Sequence, residues 1–243
     1  MKAIILAAGL GTRLLPITDQ VPKCMVEVNG IPIIDNQLDG LLRHGVTDVA
    51  VVSGYKADVL AAHLEARYPS VRIIPNRRYA ETNNMYSLFL AKDFLLGDAD
   101  GFLLMNGDVY FDHGILEGLL KGTDRSLVAC DRRGYLEESM KITLANGRIN
   151  HISKSISEQD HYAVSIDVYR ISSADGVALF AEIEDTIVNR GDERSWTEVA
   201  LDRIFDKCDF RPYVIDGRWV EIDNHDDLML AESVFAGDSR CVQ

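Results

Sequence analysis

Hydrophobic and polar positions follow one rhythm through the first half of the chain and another after it. In the first half, short apolar runs alternate with stretches whose apolar residues recur at helical spacing, the pattern of βαβ units around a mainly parallel sheet. Lys2 to Ala8 predicts the first strand, and its unbroken apolar character is that of a strand covered by helices on both faces. From about Pro32 to His44, residues Ile33, Ile34, Leu38, Leu41 and Leu42 make one helical stripe that stops at Gly45. Asp48 to Ser53 predicts a strand, Ala57 to Arg67 a helix, and Val71 to Ile74 a third strand. Asn84 to Leu96 predicts a helix opened by the polar residues Thr82, Asn83 and Asn84, and Gly101 to Met105 a buried strand that runs into Asn106-Gly107-Asp108.

Past about residue 131 the pattern turns to hairpins. Ser139 to Leu144, the Asn146-Gly147 turn and Arg148 to Ile152 predict one, and His161 to Ile171 a further strand. Helices over Ser173 to Val188 and Trp196 to Phe205, strands over Phe210 to Ile215 and Arg218 to Ile222, and a helix over Asp226 to Phe235 complete the reading. At 243 residues, 47% hydrophobic and 26% charged, the chain has the composition of one ordinary globular domain. Its 38 acidic and 25 basic residues leave a formal charge of −13, the wrong sign for tracking nucleic-acid phosphates. Cys24, Cys130, Cys208 and Cys241 form no C-x-x-C pair, so neither a zinc site nor a disulfide framework is indicated, and a cytoplasmic setting is expected. Gly11, Thr12 and Arg13 cut short the apolar start that would otherwise suggest a signal peptide, and no apolar stretch reaches membrane-spanning length.

The densest chemistry follows the first strand: Leu6-Ala7-Ala8-Gly9-Leu10-Gly11-Thr12-Arg13-Leu14-Leu15-Pro16-Ile17-Thr18, then Val21-Pro22-Lys23. Glycines leaving a buried strand let backbone N–H groups approach a phosphate, and Arg13 and Lys23 add positive charge. The dinucleotide fingerprint needs Gly or Ala where Leu14 stands, and a P-loop needs Gly-Lys-Ser/Thr, so both are excluded. The run L-A-A-G-x-G-T-R-L-x-P-x-T closed by P-K resembles the signature of the nucleoside triphosphate transferases that make nucleotide sugars and related activated compounds. Within that superfamily the chain is most similar to the phosphocholine cytidylyltransferase-like branch. The likeness rests on Asn83-Asn84-Met85-Tyr86-Ser87-Leu88, on Trp196 with Glu198, and on Trp219-Val220-Glu221-Ile222-Asp223. The resemblance implies an α/β, Rossmann-like nucleotide-diphospho-sugar transferase fold, with a central, mainly parallel twisted sheet flanked by helices. It also implies one domain over residues 1–237, with a nucleotide-binding half (1–130), an acceptor-binding half (131–237) and a tail over 238–243.

Two carboxylates stand where such a sheet presents its ligands. Asp108 lies just past the end of a buried strand and Asp223 between a strand and the last helix. A triphosphate needs its charge offset, and Mg²⁺ held by one or two carboxylates does this; by resemblance Asp108 and Asp223 are the metal ligands. The alternative for each is a helix cap, with Asn224 or Asp226 equally placed to cap the last helix. Asn106-Gly107-Asp108 is not the D-x-D pair typical of glycosyltransferases that use finished nucleotide sugars.

The reaction implied joins a phosphorylated acceptor to a nucleoside triphosphate and releases pyrophosphate. The attacking phosphate oxygen is already ionised, so positioning and charge neutralisation carry the catalysis. By resemblance Arg13 binds the β- and γ-phosphates and Lys23 bridges the α-phosphate and the incoming phosphate. The backbone of Leu6, Ala8 and Gly9 reads the base edge with Thr82 or Asn84, and Gly11, Thr12 and Gly107 complete the nucleotide-binding set. Similar enzymes use a lysine in E-K-P for the acceptor phosphate; here Ser153-Lys154-Ser155 is the nearest match and Lys141 the competitor. Trp196 and Glu198 suit a cationic head group, through an aromatic face and a carboxylate, with core packing as the alternative for Trp196; Tyr86, Tyr135 and Tyr162 are further aromatic candidates. The expected partners are therefore CTP, or another NTP, and a small acceptor of the phosphocholine or 2-aminoethylphosphonate type, with no nucleic acid or membrane and a homo-oligomer left open. A sugar-1-phosphate nucleotidyltransferase using UTP, dTTP or CTP and a non-catalytic nucleotide-binding subunit are the rival readings.

Overall fold

The computed structural model describes residues 1–121 and 125–237. The tail expected over 238–243, with Cys241, lies outside the described residues. In chain order the elements are β1 (Lys2–Ala7), β2 (Glu27–Val28), β3 (Ile31–Pro32), α1 (Ile33–Arg43), β4 (Asp48–Ser53), α2 (Ala57–Arg67), β5 (Arg72–Pro75), α3 (Asn84–Leu90), α4 (Lys92–Leu95), β6 (Phe102–Asn106), β7 (Val109–Phe111) and α5 (Gly114–Leu120). They continue with β8 (Ser126–Asp131), β9 (Lys141–Ala145), β10 (Arg148–Ser153), β11 (Ala163–Ile171), α6 (Ser173–Glu184), α7 (Thr197–Ile204), β12 (Phe210–Val214), β13 (Trp219–Glu221) and α8 (His225–Val234).

Along β1, Ile4 and Leu6 join one core while Ala3, Ile5 and Ala7 join another on the opposite face. β4 and β6 divide in the same way, Ala50 and Val52 against Val49 and Val51, Phe102 and Leu104 against Leu103 and Met105. Successive strand side chains point to opposite faces, so a strand buried on both must be apolar throughout. Helices α3, α4, α6 and α7 supply the first layer and α1, α2 and α5 the second. The central sheet is mixed, as the expected fold requires: β6, β1, β4 and β5 run parallel, and β11 then lies antiparallel to β6, β8 and β9.

Two local departures from the sequence reading matter. The helix expected over Asn84 to Leu96 is interrupted at Ala91, giving α3 and α4, and the one expected to Val188 passes at Asp185 into a π-helical turn that ends at Asn189. Every residue of β11 is buried, and the strand carries a register shift against β8 between Ser165 and Tyr169. Inside that bulge Asp167 takes a left-handed conformation, φ +56°, tolerable for an aspartate and costly for a β-branched residue.

Beyond β6, the chain reverses through Gly107-Asp108 into β7, which pairs with β13 in a separate two-stranded ribbon, Val109 opposite Glu221. A Cβ on Gly107 would lie 2.9 Å from the Leu6 carbonyl oxygen and 3.1 Å from the Ala7 side chain, so the close approach of this turn to β1 needs glycine. A third core of Leu14, Val28, Ile33, Tyr110, Val220, Ile222 and Leu228 pins the ribbon to α8 and to the loop after β1.

Candidate active site

The parallel strands β1, β4 and β6 end together, Leu6 opposite Asn106 and Ala7 opposite Ser53, and a cleft of about 380 Å³ opens at these carboxyl ends. One wall is the loop after β1. Gly11 sits at φ +64° with Lys23 Cβ and Thr18 Cγ2 each 3.0 Å from where a Cβ would stand, while Thr18 Oγ1 donates to Gly11 O at 2.9 Å. The loop is therefore folded onto itself, and it brings Leu6, Ala8, Gly9, Gly11, Thr12, Arg13 and Lys23 to one wall.

Thr82, Asn84 and Gly107 also line the cleft. Asn83 caps α3, its side chain accepting from the Asn84 N–H at 2.8 Å. Asn84 reaches across to the start of α7, where its Oδ1 accepts the Thr197 N–H at 2.9 Å. The chain entering α3 is thus tied to the segment that carries Trp196 and Glu198.

Lys23 stands between two carboxylates, with Nζ 2.7 Å from Asp108 Oδ2 and 2.5 Å from Asp223 Oδ1, and Arg13 reaches Asp223 Oδ2 at 2.7 Å. Burial opposes charge on Lys23, but the two carboxylates outweigh it and hold the ammonium above its ordinary range. Burial likewise opposes charge on Asp223, and Lys23 and Arg13 draw its carboxyl below the usual range. Neither aspartate caps a helix. Asp108 is followed by β7, and α8 is capped by Asn224, whose Oδ1 accepts from the N–H groups of Asp226 and Asp227 at 2.8 and 3.0 Å, which leaves the Asp223 carboxylate to the cleft.

Glu221 joins them: Asp108, Glu221 and Asp223 each offer one oxygen, all within 4.8 Å of one another. Asp108 Oδ1 is buried and has no hydrogen-bond partner among the described residues. An orphaned carboxylate oxygen beside two others is a donor set of hard oxygens, and it fits a hard divalent cation.

Two further acids line the cleft. Asp167 and Glu198 are buried, and the Tyr169 hydroxyl spans them, 2.9 Å from Asp167 Oδ1 and 3.0 Å from Glu198 Oε1. Asn106 Nδ2 donates to Asp167 Oδ2 at 3.0 Å. Burial, then the Glu198 and Asp108 charges, push the Asp167 carboxyl up to about 7. Burial, then Asp167, Asp108 and Asp223, push Glu221 to about 8, and burial raises Glu198 as well. Acids crowded beyond what Lys23 neutralises favour a further cation.

The two acceptor lysines part company. Lys154 lines the cleft with its Nζ 5.4 Å from the Trp196 ring centroid, and Trp196 is half-exposed at the start of α7, outside the core. Lys141 is fully buried and does not line the cleft; its Nζ donates to the carbonyls of Glu137 at 2.6 Å and Leu136 at 3.3 Å and lies over the Tyr135 ring. Nor do Tyr86, Tyr135 or Tyr162 line the cleft: Tyr86 meets Phe89 and Arg78, Tyr135 meets His161 and Lys141, and Tyr162 meets Arg132.

The sequence reading missed Glu221 and Asp167. Glu221 carried a signal, since it lies near the end of a strand two residues before Asp223, a spacing that an extended chain turns to one side. Asp167 is the lone carboxylate in the apolar run Ala163–Ile171, a charge that only a ligand or a specific partner justifies there.

Known proteins share this architecture. CTP:phosphoglutamine cytidylyltransferase of Campylobacter jejuni is 29% identical over 248 residues, covering 94% of this chain and 98% of that protein. 2-Aminoethylphosphonate cytidylyltransferase of Lancefieldella rimae is 44% identical over 94 residues, 39% of this chain and 38% of that protein. The solved structure of CTP:phosphocholine cytidylyltransferase from Streptococcus pneumoniae aligns with a TM-score of 0.80 at 27% identity, over 96% of this chain and 98% of that one. Residues 2–129, which include the loop after β1, Lys23 and Asp108, match the family described as Nucleotidyl transferase, and this chain belongs to that family.

Proposed function

We propose that the protein transfers CMP from CTP to a small acceptor that carries a phosphate or phosphonate at one end and an ammonium group at the other, releasing pyrophosphate. The observation that carries this reading is the buried carboxylate pair Asp167 and Glu198 lining the cleft, held among the described residues by the neutral side chains of Tyr169, Asn106, Ser165 and Asn84. Buried carboxylates are costly unless paired, and an acceptor's ammonium supplies the missing charge while Trp196 offers it an aromatic face. The relatives named for cytidylyl transfer to phosphoglutamine, 2-aminoethylphosphonate and phosphocholine support the same choice.

An oxygen of the acceptor phosphate attacks the α-phosphorus of CTP; that P–O bond forms as the bond from the α-phosphorus to the bridging oxygen of the β-phosphate breaks, and pyrophosphate departs with the electron pair. No proton has to be removed from the nucleophile, so no general base is required. Lys23 turns from its carboxylates to the α-phosphate and the attacking phosphate, lowering the repulsion between two anions that must meet. Arg13, exposed on the loop and paired with Asp223, takes the charge that builds on the leaving pyrophosphate. Lys154 lies on the acceptor side, within reach of the acceptor phosphate. Asp108, Glu221 and Asp223 are the residues that would hold Mg²⁺, which when bound neutralises triphosphate charge and makes pyrophosphate a better leaving group.

Glu198→Gln tests the ammonium end. The amide oxygen still accepts from Tyr169, so the fold is kept, while the charge facing the acceptor is lost. The expected result is a KM for phosphocholine or 2-aminoethylphosphonate raised by about tenfold or more, with KM for CTP within about twofold, because losing a charge-assisted contact costs about 1.5–3 kcal/mol. An unchanged acceptor KM would refute the assignment.

A further inference from the structure

Gln37 lies on α1, remote in sequence from the cleft and fully buried. Its Nε2 donates to Asn106 O at 2.8 Å and to Val109 O at 2.9 Å. These carbonyls flank the Gly107-Asp108 turn, so one amide group clamps both ends of the turn that presents Asp108 to the cleft. The neighbouring Asn36 acts on the strand that follows: its Oδ1 accepts the Phe111 N–H at 3.2 Å and its Nδ2 donates to Phe111 O at 3.1 Å, the pattern of a strand partner along the free edge of β7. The other edge of β7 pairs with β13, which brings Glu221, and the Ile222 N–H donates to Asp108 O at 2.9 Å.

The orientation of the amide follows from its acceptors, since turning it over would set its oxygen against two carbonyl oxygens. Its Oε1 is buried with no hydrogen-bond partner among the described residues. A methionine would fill the same space and leave no orphan, so the amide costs the core something that its two N–H bonds must offset. Those bonds act on the turn and nowhere else.

From this we infer that Gln37 is a positioning residue for Asp108: it holds the turn so that the Asp108 carboxylate meets Glu221 and Asp223 at cation-binding separation. The inference rests on the proposed metal role of Asp108, and it goes beyond that role by assigning the support to a helix that contributes nothing to the cleft wall.

The test uses Gln37→Met, which removes both donors at similar volume. A second variant, Gln37→Glu, keeps the shape and at most one donor. Each is measured without any substrate, by Mn²⁺ binding followed by electron paramagnetic resonance and by hydrogen exchange at the Gly107 amide, which donates to Leu6 O at 2.9 Å. The expected result for both is Mn²⁺ affinity at least about tenfold weaker, the lower end for loss of a group supporting a metal ligand, and faster exchange at Gly107, with the circular dichroism of the parent retained. Parental Mn²⁺ affinity and parental Gly107 protection in either folded variant would overturn the inference, whatever happens to the thermal midpoint. If the parent itself binds no Mn²⁺, the metal reading has failed and exchange at Gly107 alone decides whether Gln37 holds the turn. Failure of the parent to make a cytidylyl product would sink the proposed reaction and leave both readouts intact.

Discussion

Asp108→Asn lowers kcat by about 10³-fold and leaves the protein folded, on the scale seen when one electrostatic contact to a transition state is removed. The loss is expected because Asp108 Oδ1 is buried in the cleft with no hydrogen-bond partner among the described residues, and because the triphosphate charge has to be met there. Stability should move little. Lys23 keeps its bond to Asp223, the new amide oxygen still accepts from Lys23, and the remaining acids Asp167 and Glu221 feel one charge fewer. We expect the thermal midpoint of the substrate-free variant to stay within about 4 °C of the parent, the shift that about 1 kcal/mol produces at this size. A variant that keeps turnover within about tenfold of the parent would contradict the metal assignment.

Lys23→Met should cost as much in kcat and, unlike Asp108→Asn, should also cost stability. Its ammonium sits between Asp108 and Asp223, and removing it sets two carboxylates against each other in a cleft already rich in acid. Breaking a buried ion pair from one side costs about 3–5 kcal/mol; with Arg13 still paired to Asp223 and both aspartates partly open to water, the low end is expected. The same variant frees the carboxylate oxygens that Lys23 engages, so Mg²⁺ should raise its thermal midpoint more than it raises that of the parent. Differential scanning fluorimetry with and without Mg²⁺ measures this directly. Equal shifts in the two proteins would show that Lys23 and the metal do not share these oxygens.

How much of this could be read from the sequence depended on how local the cause was. Asp48–Ser53 and Ala57–Arg67 were legible to the residue, because a doubly covered strand shows as an unbroken apolar run and the segment after it is rich in strong helix formers. β7 was not: three residues long, it exists because β13, over a hundred residues later, pairs with it, and no window along the chain contains both. The loop after β1 with Lys23 stood out because phosphate chemistry demands particular residue types close together, and the two aspartates because the resemblance to nucleoside triphosphate transferases singles them out at strand ends. Asp167 stayed hidden because its access to the cleft comes from a bulge in β11, a tertiary event. Lys141 opens one strand of a hairpin and Lys154 follows the other, with nothing in composition to separate them; only the folded protein shows that one faces backbone carbonyls and the other Trp196. Gln37 gave no signal, since its value lies in two carbonyls brought to it by the fold.

The central claim is that this cleft joins CMP to an ammonium-bearing phosphate or phosphonate. The most direct measurement incubates the protein and Mg²⁺ with CTP, UTP, dTTP, ATP or GTP against phosphocholine, 2-aminoethylphosphonate and sugar-1-phosphates, and follows pyrophosphate release. Release with CTP and an ammonium-bearing acceptor, and not with the sugar phosphates, is the predicted result. Release with a sugar-1-phosphate in preference to these acceptors would leave Arg13, Lys23 and the aspartates in place and contradict the ammonium-binding role of Asp167 and Glu198.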